Sequence, residues 1–191
     1  EGYTFDAGPT VITAPHCLEE LFQLGGKRMD DYVKLMPVSP LYKLYWEGQG
    51  TFEYGNDTPK LYEEIAKKCP EDIQGYQNYM KYAQKVFEKG YLELSDTAFL
   101  RFWDMIRVSP DLIKLRAFES IYKCISRYFK DPIHRQVFSF NSLLIGGNPF
   151  QASSIYTLIH PLERKWGVWF PEGGTHALVR GLGKLFTDLG G

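Results

Sequence analysis

The sequence predicts an α+β fold that is rich in helix and carries a small mixed or antiparallel sheet. Three observations support this. Segments bounded by helix caps and by Pro or Gly fill most of the chain, β-rich runs are short and few, and no segment repeats. Tyr3-Thr4-Phe5 and Thr10-Val11-Ile12 are β-rich and flank a turn at Asp6-Ala7-Gly8-Pro9. Pro15 to Leu24 reads as a helix stopped by Gly25-Gly26. Leu41–Glu47 and Thr51–Tyr54, separated by Gly48-Gln49-Gly50, form a hairpin pattern. Asn56-Asp57-Thr58-Pro59 opens a helix that runs to Lys68, and Pro70 opens a longer one through Glu88 that Gly90 closes. Further helices are expected at 98–107, 110–129 and 132–144, and from Ala152 towards Arg164 with a bend at Pro161. Trp166–Phe170 reads as a strand and Thr175–Leu189 as a final helix.

Composition excludes several classes. Over 191 residues, 44% are hydrophobic, 24% charged and 16% aromatic, which supplies a core and rules out a disordered chain. A net charge of -1 argues against nucleic acid as the main partner. Cys17, Cys69 and Cys124 are odd in number, far apart and form no CxxC, so neither a disulfide framework nor a zinc site follows, and a reducing compartment is expected. The sequence opens at Glu1-Gly2-Tyr3 without Met and closes on Leu189-Gly190-Gly191, which reads as an internal stretch of a longer protein.

The charge is unevenly distributed. Residues 97–130 hold seven basic and three acidic side chains together with Phe99, Phe102, Trp103, Phe118, Tyr122, Tyr128 and Phe129. Such a block suits either a packed amphipathic helix pair with a basic outer face or a membrane-surface element. From Gln136 to Leu162 there is no Asp, Glu, Lys or Arg. Asn141, Gly146-Gly147-Asn148-Pro149 and Gln151 interrupt this stretch, so it is no membrane span and reads as core or as the wall of an apolar cavity, with core favoured by periodicity.

Nucleotide fingerprints, HExxH and GxSxG are all absent, and the four histidines lack ligand spacing, so no metal is expected. His16-Cys17 are neighbours on a helix, where side chains diverge by about 100°, and a catalytic dyad is not expected. Two glycine motifs are more informative. Asp6-Ala7-Gly8-Pro9-Thr10 makes a sharp turn at which backbone can approach a flat ligand. Trp169-Phe170-Pro171-Glu172-Gly173-Gly174-Thr175 leaves a strand and enters a helix whose N-terminus suits an anionic or electron-accepting group. Asp104 and Arg107, three apart in Phe102-Trp103-Asp104-Met105-Ile106-Arg107, form a candidate acid–base pair or a plain surface ion pair.

Taken together, Gly2–Thr13, Asp30-Asp31-Tyr32-Val33-Lys34-Leu35, Ser139-Phe140 with Gly146–Phe150, Ser153–His160 and above all Trp166–Thr175 resemble bacterial-type phytoene desaturases, in order and over essentially the whole chain. The resemblance implies a FAD-dependent carotenoid desaturase of the flavin amine oxidase-like superfamily that converts phytoene stepwise to lycopene. It further implies a peripheral position on the cytoplasmic side of a membrane and oxygen or quinone as terminal electron acceptor. On this reading the chain is an incomplete piece of a two-domain Rossmann-type oxidoreductase. Residues 1–14 would be the edge of the FAD-binding domain, 15–165 the substrate- and membrane-binding domain, and 166–191 the return towards the flavin. Gly8, Pro9, Thr10, Gly173 and Gly174 would lie near the flavin, and Asp104 and Arg107 would serve catalysis. The 136–162 stretch would line a polyene tunnel and the 97–130 block would touch the membrane. The GxGxxG seat for the pyrophosphate is missing, so this polypeptide alone is expected neither to hold FAD firmly nor to turn over. Related carotenoid oxidoreductases or isomerases, and a flavin-free lipid-binding module, are the competing readings.

Overall fold

A computed structural model describes residues 2–3, 5–8, 10–95 and 97–191. In chain order the elements are α1 (Pro15–Leu24), β1 (Leu35–Pro37), β2 (Tyr42–Trp46), β3 (Gly50–Tyr54), α2 (Thr58–Ala66), α3 (Asp72–Phe87), α4 (Phe102–Lys114), α5 (Ile121–Ile125), α6 (Pro132–Ser139), α7 (Ile159–Trp166), β4 (Trp169–Pro171) and α8 (Thr175–Asp188). A π-helical turn at Glu88–Glu93 continues α3, and 3₁₀ turns occupy Met29–Asp31, Phe140–Ile145 and Ser154–Leu158. Helix therefore dominates, and both small sheets are antiparallel. The chain divides into two compact units, Glu1–Leu41 with Glu163–Gly191, and Tyr42–Leu162.

In the first unit, β1 pairs with β4 from Leu35↔Pro171 to Pro37↔Trp169. Backbone bonds from Val38 N to Val168 O (2.9 Å) and from Glu172 N to Lys34 O (2.9 Å) extend that ladder. Leu178, Leu182 and Leu185 recur at helical spacing on α8 and pack with Leu18 and Phe22 of α1, Met29, Val33 and Leu35. The hydroxyl of Tyr32 donates to Asp188 at 2.8 Å, tying the turn after Met29–Asp31 to the end of α8.

The second unit is built on aromatic packing. In the β2–β3 hairpin, registered from Tyr42↔Tyr54 to Trp46↔Gly50, Phe52 and Tyr54 alternate inward. They meet Phe138 of α6, whose ring also contacts Tyr76 and Tyr79 of α3 and stacks on Phe129 at 4.4 Å. Side-chain caps start three helices: Asp57 for α2, Ser120 for α5 and Asp131 for α6. Gly75 lets α3 lie directly on the backbone of Tyr128, since a Cβ there would meet that carbonyl oxygen at 1.9 Å.

Several expectations need correction. No strand forms at the N-terminal motif among the described residues; Ile12 alone pairs with Trp169, in an isolated bridge. Gly90 does not end the α3 region. Its missing side chain makes room for Leu158 instead, 3.2 Å from where a Cβ would sit. The two helices expected at 98–107 and 110–129 are redistributed. α4 runs through Pro110, with Ser109 Oγ donating to Met105 O at 2.7 Å, and the chain breaks at Arg116, where φ is 55°. The charge-free stretch is not uniformly buried: Val137, Phe138, Asn141 and Ser142 are inside, whereas Leu143, Leu144, Ile145 and Phe150 are exposed. β1 was not foreseen, because three residues ending in Pro show no alternation.

Candidate functional site

In the first unit the two glycine motifs come together. The carboxylate of Asp6 accepts the backbone N–H of Thr175, the first residue of α8, at 3.2 Å. Gly174 stands immediately before it with φ 82°, and a Cβ there would lie 2.9 Å from both Asp6 carboxylate oxygens. Gly173 has φ 85° and an open face, with only Ala177 at 3.4 Å from a notional Cβ. Both glycines are therefore required by backbone sign, and the second also by its neighbour. Gly8 (φ 92°) and Thr10 are exposed on the same motif as Asp6, while Pro9 lies outside the described residues. The N-terminus of α8, expected to offer free N–H groups to an anion, already has Thr175 N–H taken by Asp6. The backbone faces of Gly8 and Gly173 remain open.

His16 and Cys17 approach more closely than helical divergence suggests, with Sγ 3.5 Å from Nε2, and the His16 ring stacks on Trp166 at 4.2 Å. The contact is exposed.

In the second unit Asp104 and Arg107 share a stripe of α4, as their spacing implies. Asp104 Oδ2 accepts the backbone N–H of Arg101 at 2.9 Å, which makes it a capping carboxylate at the helix start. No ion pair joins it to Arg107 among the described residues. Both line a cavity of about 340 Å³ with Lys89, Leu94, Thr97, Val108 and Asp111. Lys89 bridges Glu93 at 2.6 Å and Asp111 at 2.8 Å. The hydrogen bonds it donates to Asp111 and then Glu93 hold the Lys89 ammonium above its ordinary range, and the Lys89 bond holds Asp111 below the usual carboxylate range. Neither Lys89 nor Asp111 belonged to any sequence motif, and pairing across 22 positions leaves no local signal.

A second cavity, of about 370 Å³, is walled by Leu44, Tyr45 and Trp46 of β2, Tyr122, Phe140, Leu143 and Phe150. Its main polar contact is internal, Trp46 Nε1–H to Gln136 Oε1 at 2.8 Å. The basic aromatic block divides: Phe102, Trp103 and Phe118 are exposed, whereas Phe129 is buried in the core. No helix of the described residues is long and apolar enough to cross a membrane, and they hold no group of His, Cys, Asp and Glu able to bind a metal.

Two buried polar networks stiffen this unit. Asp72 accepts the N–H groups of Lys130 (2.7 Å) and Asp131 (3.0 Å) and the Nδ1–H of His134 (2.7 Å). Phe138 O can only accept, so His160 Nε2–H donates to it at 3.1 Å and Nδ1 accepts the Tyr54 hydroxyl at 2.6 Å.

The model of the flavin containing amine oxidoreductases matches residues 1–191. The chain belongs to that family. Within it, the chain is similar to three proteins named phytoene desaturase (lycopene-forming). It is 58% identical over 191 residues to the one from Pseudescherichia vulneris, 55% to that of Pantoea ananas and 48% to that of Paracoccus sp. (strain N81106 / MBIC 01143). All of this chain aligns each time, and it spans 38–39% of the length of these relatives. For this amine oxidoreductase family member, the open backbone at Gly173 fits the flat ring of a flavin, since no side chain blocks approach. The chain holds no GxGxxG loop for a pyrophosphate, and the Thr175 N–H at the start of α8 is taken by Asp6.

Proposed function

We propose that this chain is the substrate-side portion of a FAD-dependent carotenoid desaturase that converts phytoene stepwise to lycopene. It would form part of a two-domain Rossmann-type oxidoreductase. The observation that carries this reading is the end-to-end alignment of all 191 residues, at 48–58% identity, with three lycopene-forming phytoene desaturases. The joined glycine motifs support it. Residues 1–14 would be the edge of the FAD-binding domain, 15–165 the substrate- and membrane-binding domain, and 166–191 the return segment towards the FAD-binding domain.

A bound flavin supplies the two-electron oxidant for a C–H bond. This chain would hold its ring against the backbone of Gly8, Pro9, Thr10, Gly173 and Gly174. The proton lost from the neighbouring carbon would pass to Asp104. One oxygen of that carboxylate takes the Arg101 N–H, which leaves the other to accept a proton. Arg107, one turn further on the same stripe of α4, would be the electrostatic partner of that carboxylate. The apolar wall of Leu44, Tyr45, Trp46, Phe140, Leu143 and Phe150 would seat the polyene, which asks for flat rings and few polar groups.

Peripheral attachment to the cytoplasmic side of a membrane, with oxygen or quinone as the final acceptor, completes the proposal. The exposed Phe102, Trp103 and Phe118 among Arg101, Lys114 and Arg116 support such a contact.

The test is expression of the full-length desaturase in cells that accumulate phytoene, followed by the absorption spectrum of the extracted pigment. A lycopene spectrum is expected. Unchanged phytoene beside flavin-loaded protein would redirect the reading to another polyene, and unchanged phytoene with no flavin would point to a lipid-binding module.

A further inference from the structure

Helix α4 has no buried residue, so core packing does not set its position. Its C-terminal end is fastened by hydroxyl groups: Tyr82 donates to Leu115 O at 2.7 Å and Ser154 to Arg116 O at 2.9 Å. Along the helix itself the situation differs. Among the described residues, the ion pair between Lys89 and Asp111 is the only hydrogen bond or ion pair that links an α4 side chain to another element. Asp111 lies four residues after Arg107 and seven after Asp104, so all three occupy one stripe of the helix. Lys89 and these three side chains line one cavity.

Lys89 comes from the π-helical turn Glu88–Glu93, where Glu93 also holds its ammonium. The lysine is therefore anchored on its own element before it reaches α4. Its side chain is 26% exposed, less than the 37% of Asp111, so the pair is partly withdrawn from water. An ion pair of this exposure adds little to global stability. Placement of a reacting carboxylate is far more sensitive, since a displacement of about 1 Å costs on the order of 100-fold in rate.

We propose that Lys89, clamped between Glu93 and Asp111, is a positioning residue that fixes the Asp104/Arg107 stripe of α4 for proton removal from the polyene. This rests on the desaturase reading above. Lys89 touches no reacting atom; it acts through Asp111 and the helix.

The test uses the full-length enzyme with phytoene in liposomes, and measures kcat, KM, flavin content and thermal midpoint. Lys89→Met is expected to lower kcat at least 10-fold, with KM, flavin content and midpoint close to wild type. The charge swap Lys89→Asp with Asp111→Lys is expected to recover most of the lost rate, and Lys89→Arg to retain it. Lys89→Met added to Asp104→Asn is expected to be no slower than Asp104→Asn alone, because both act on one step. Wild-type turnover in Lys89→Met, failure of the charge swap to recover rate, or multiplied losses in the double variant would each overturn the proposal. A rate loss matched by loss of folded, flavin-loaded enzyme would assign Lys89 to stability and overturn it too. The desaturase reading fails separately, through a wild-type enzyme that leaves phytoene unchanged, and the proposal then falls with it. Normal turnover in Asp104→Asn would also overturn it while leaving desaturation intact.

Discussion

Gly75→Ala should destabilise the protein strongly, although a glycine-to-alanine change inside a helix ordinarily stabilises by about 1 kcal/mol. The added methyl would sit 1.9 Å from the carbonyl oxygen of Tyr128, whereas ordinary contact begins near 3.4 Å. The obstacle is backbone, so no side chain can rotate away, and α3 and the 128–131 segment must part by roughly 1.5 Å. That segment is pinned to α3 by Asp72, which accepts the Lys130 and Asp131 N–H groups at 2.7 and 3.0 Å. Overpacking costs about 1–3 kcal/mol, and one lost hydrogen bond to a charged group about 1.5–3 kcal/mol. After the propensity gain, a net loss of about 2–5 kcal/mol is expected, which lowers the thermal midpoint by about 2–4 °C per kcal/mol in a chain of this size. Gly183, on α8 with nothing within 4 Å of a notional Cβ, supplies the control. Gly183→Ala should be neutral or stabilising. Calorimetry or urea unfolding of both variants decides the matter, and a Gly75→Ala protein as stable as wild type would refute the close approach of α3 to Tyr128.

Three further outcomes follow from the buried polar groups and the glycine motif. Burial alone would raise the Asp72 acid, but the Lys130 N–H, His134 Nδ1–H and Asp131 N–H outweigh it and hold the carboxyl below its usual range. Its contribution to stability is complete above the unfolded value, about 3.9, and is lost as pH falls through the lower folded value, so unfolding midpoints should drop on acidification below about pH 4 and Asp72→Asn should flatten that limb. Tyr79→Phe should be neutral or stabilising by up to about 1 kcal/mol, since its buried hydroxyl has no partner among the described residues, whereas Tyr54→Phe should cost about 1–2 kcal/mol through loss of the bond to His160; thermal unfolding separates them. Gly174→Ala forces φ 82° on alanine and drives its methyl to 2.9 Å from the Asp6 oxygens, so the full-length enzyme should lose flavin in a titration while Gly183→Ala keeps it.

Local chemistry made much of the fold legible. Pro15 with Gly25, Asp57 with Pro59, and the Gly48/Gly50 hairpin announce their elements, because caps and turns are satisfied within a few residues. The sequence also pointed to the two glycine motifs, although the partner that joins them, Asp6 to Thr175, spans 169 positions and could not be read locally. Elements stabilised by distant partners were missed for the same reason. β1 exists only against β4, and the π-helical turn at Glu88–Glu93 abuts Leu158 through Gly90. Pro110 suggested a break that α4 does not make, while the real break at Arg116 is held by the hydroxyl of Ser154, which lies beyond any local pattern. Asp104 and Arg107 were visible as a pair, whereas the clamp through Lys89 and Asp111 needed the tertiary arrangement.

The most direct test of the desaturase account is anaerobic mixing of the flavin-loaded, full-length enzyme with phytoene in liposomes, followed by absorption. The account predicts that the band of the oxidised flavin bleaches as carotenoid absorption rises. A flavin that stays oxidised while phytoene remains unchanged would contradict it.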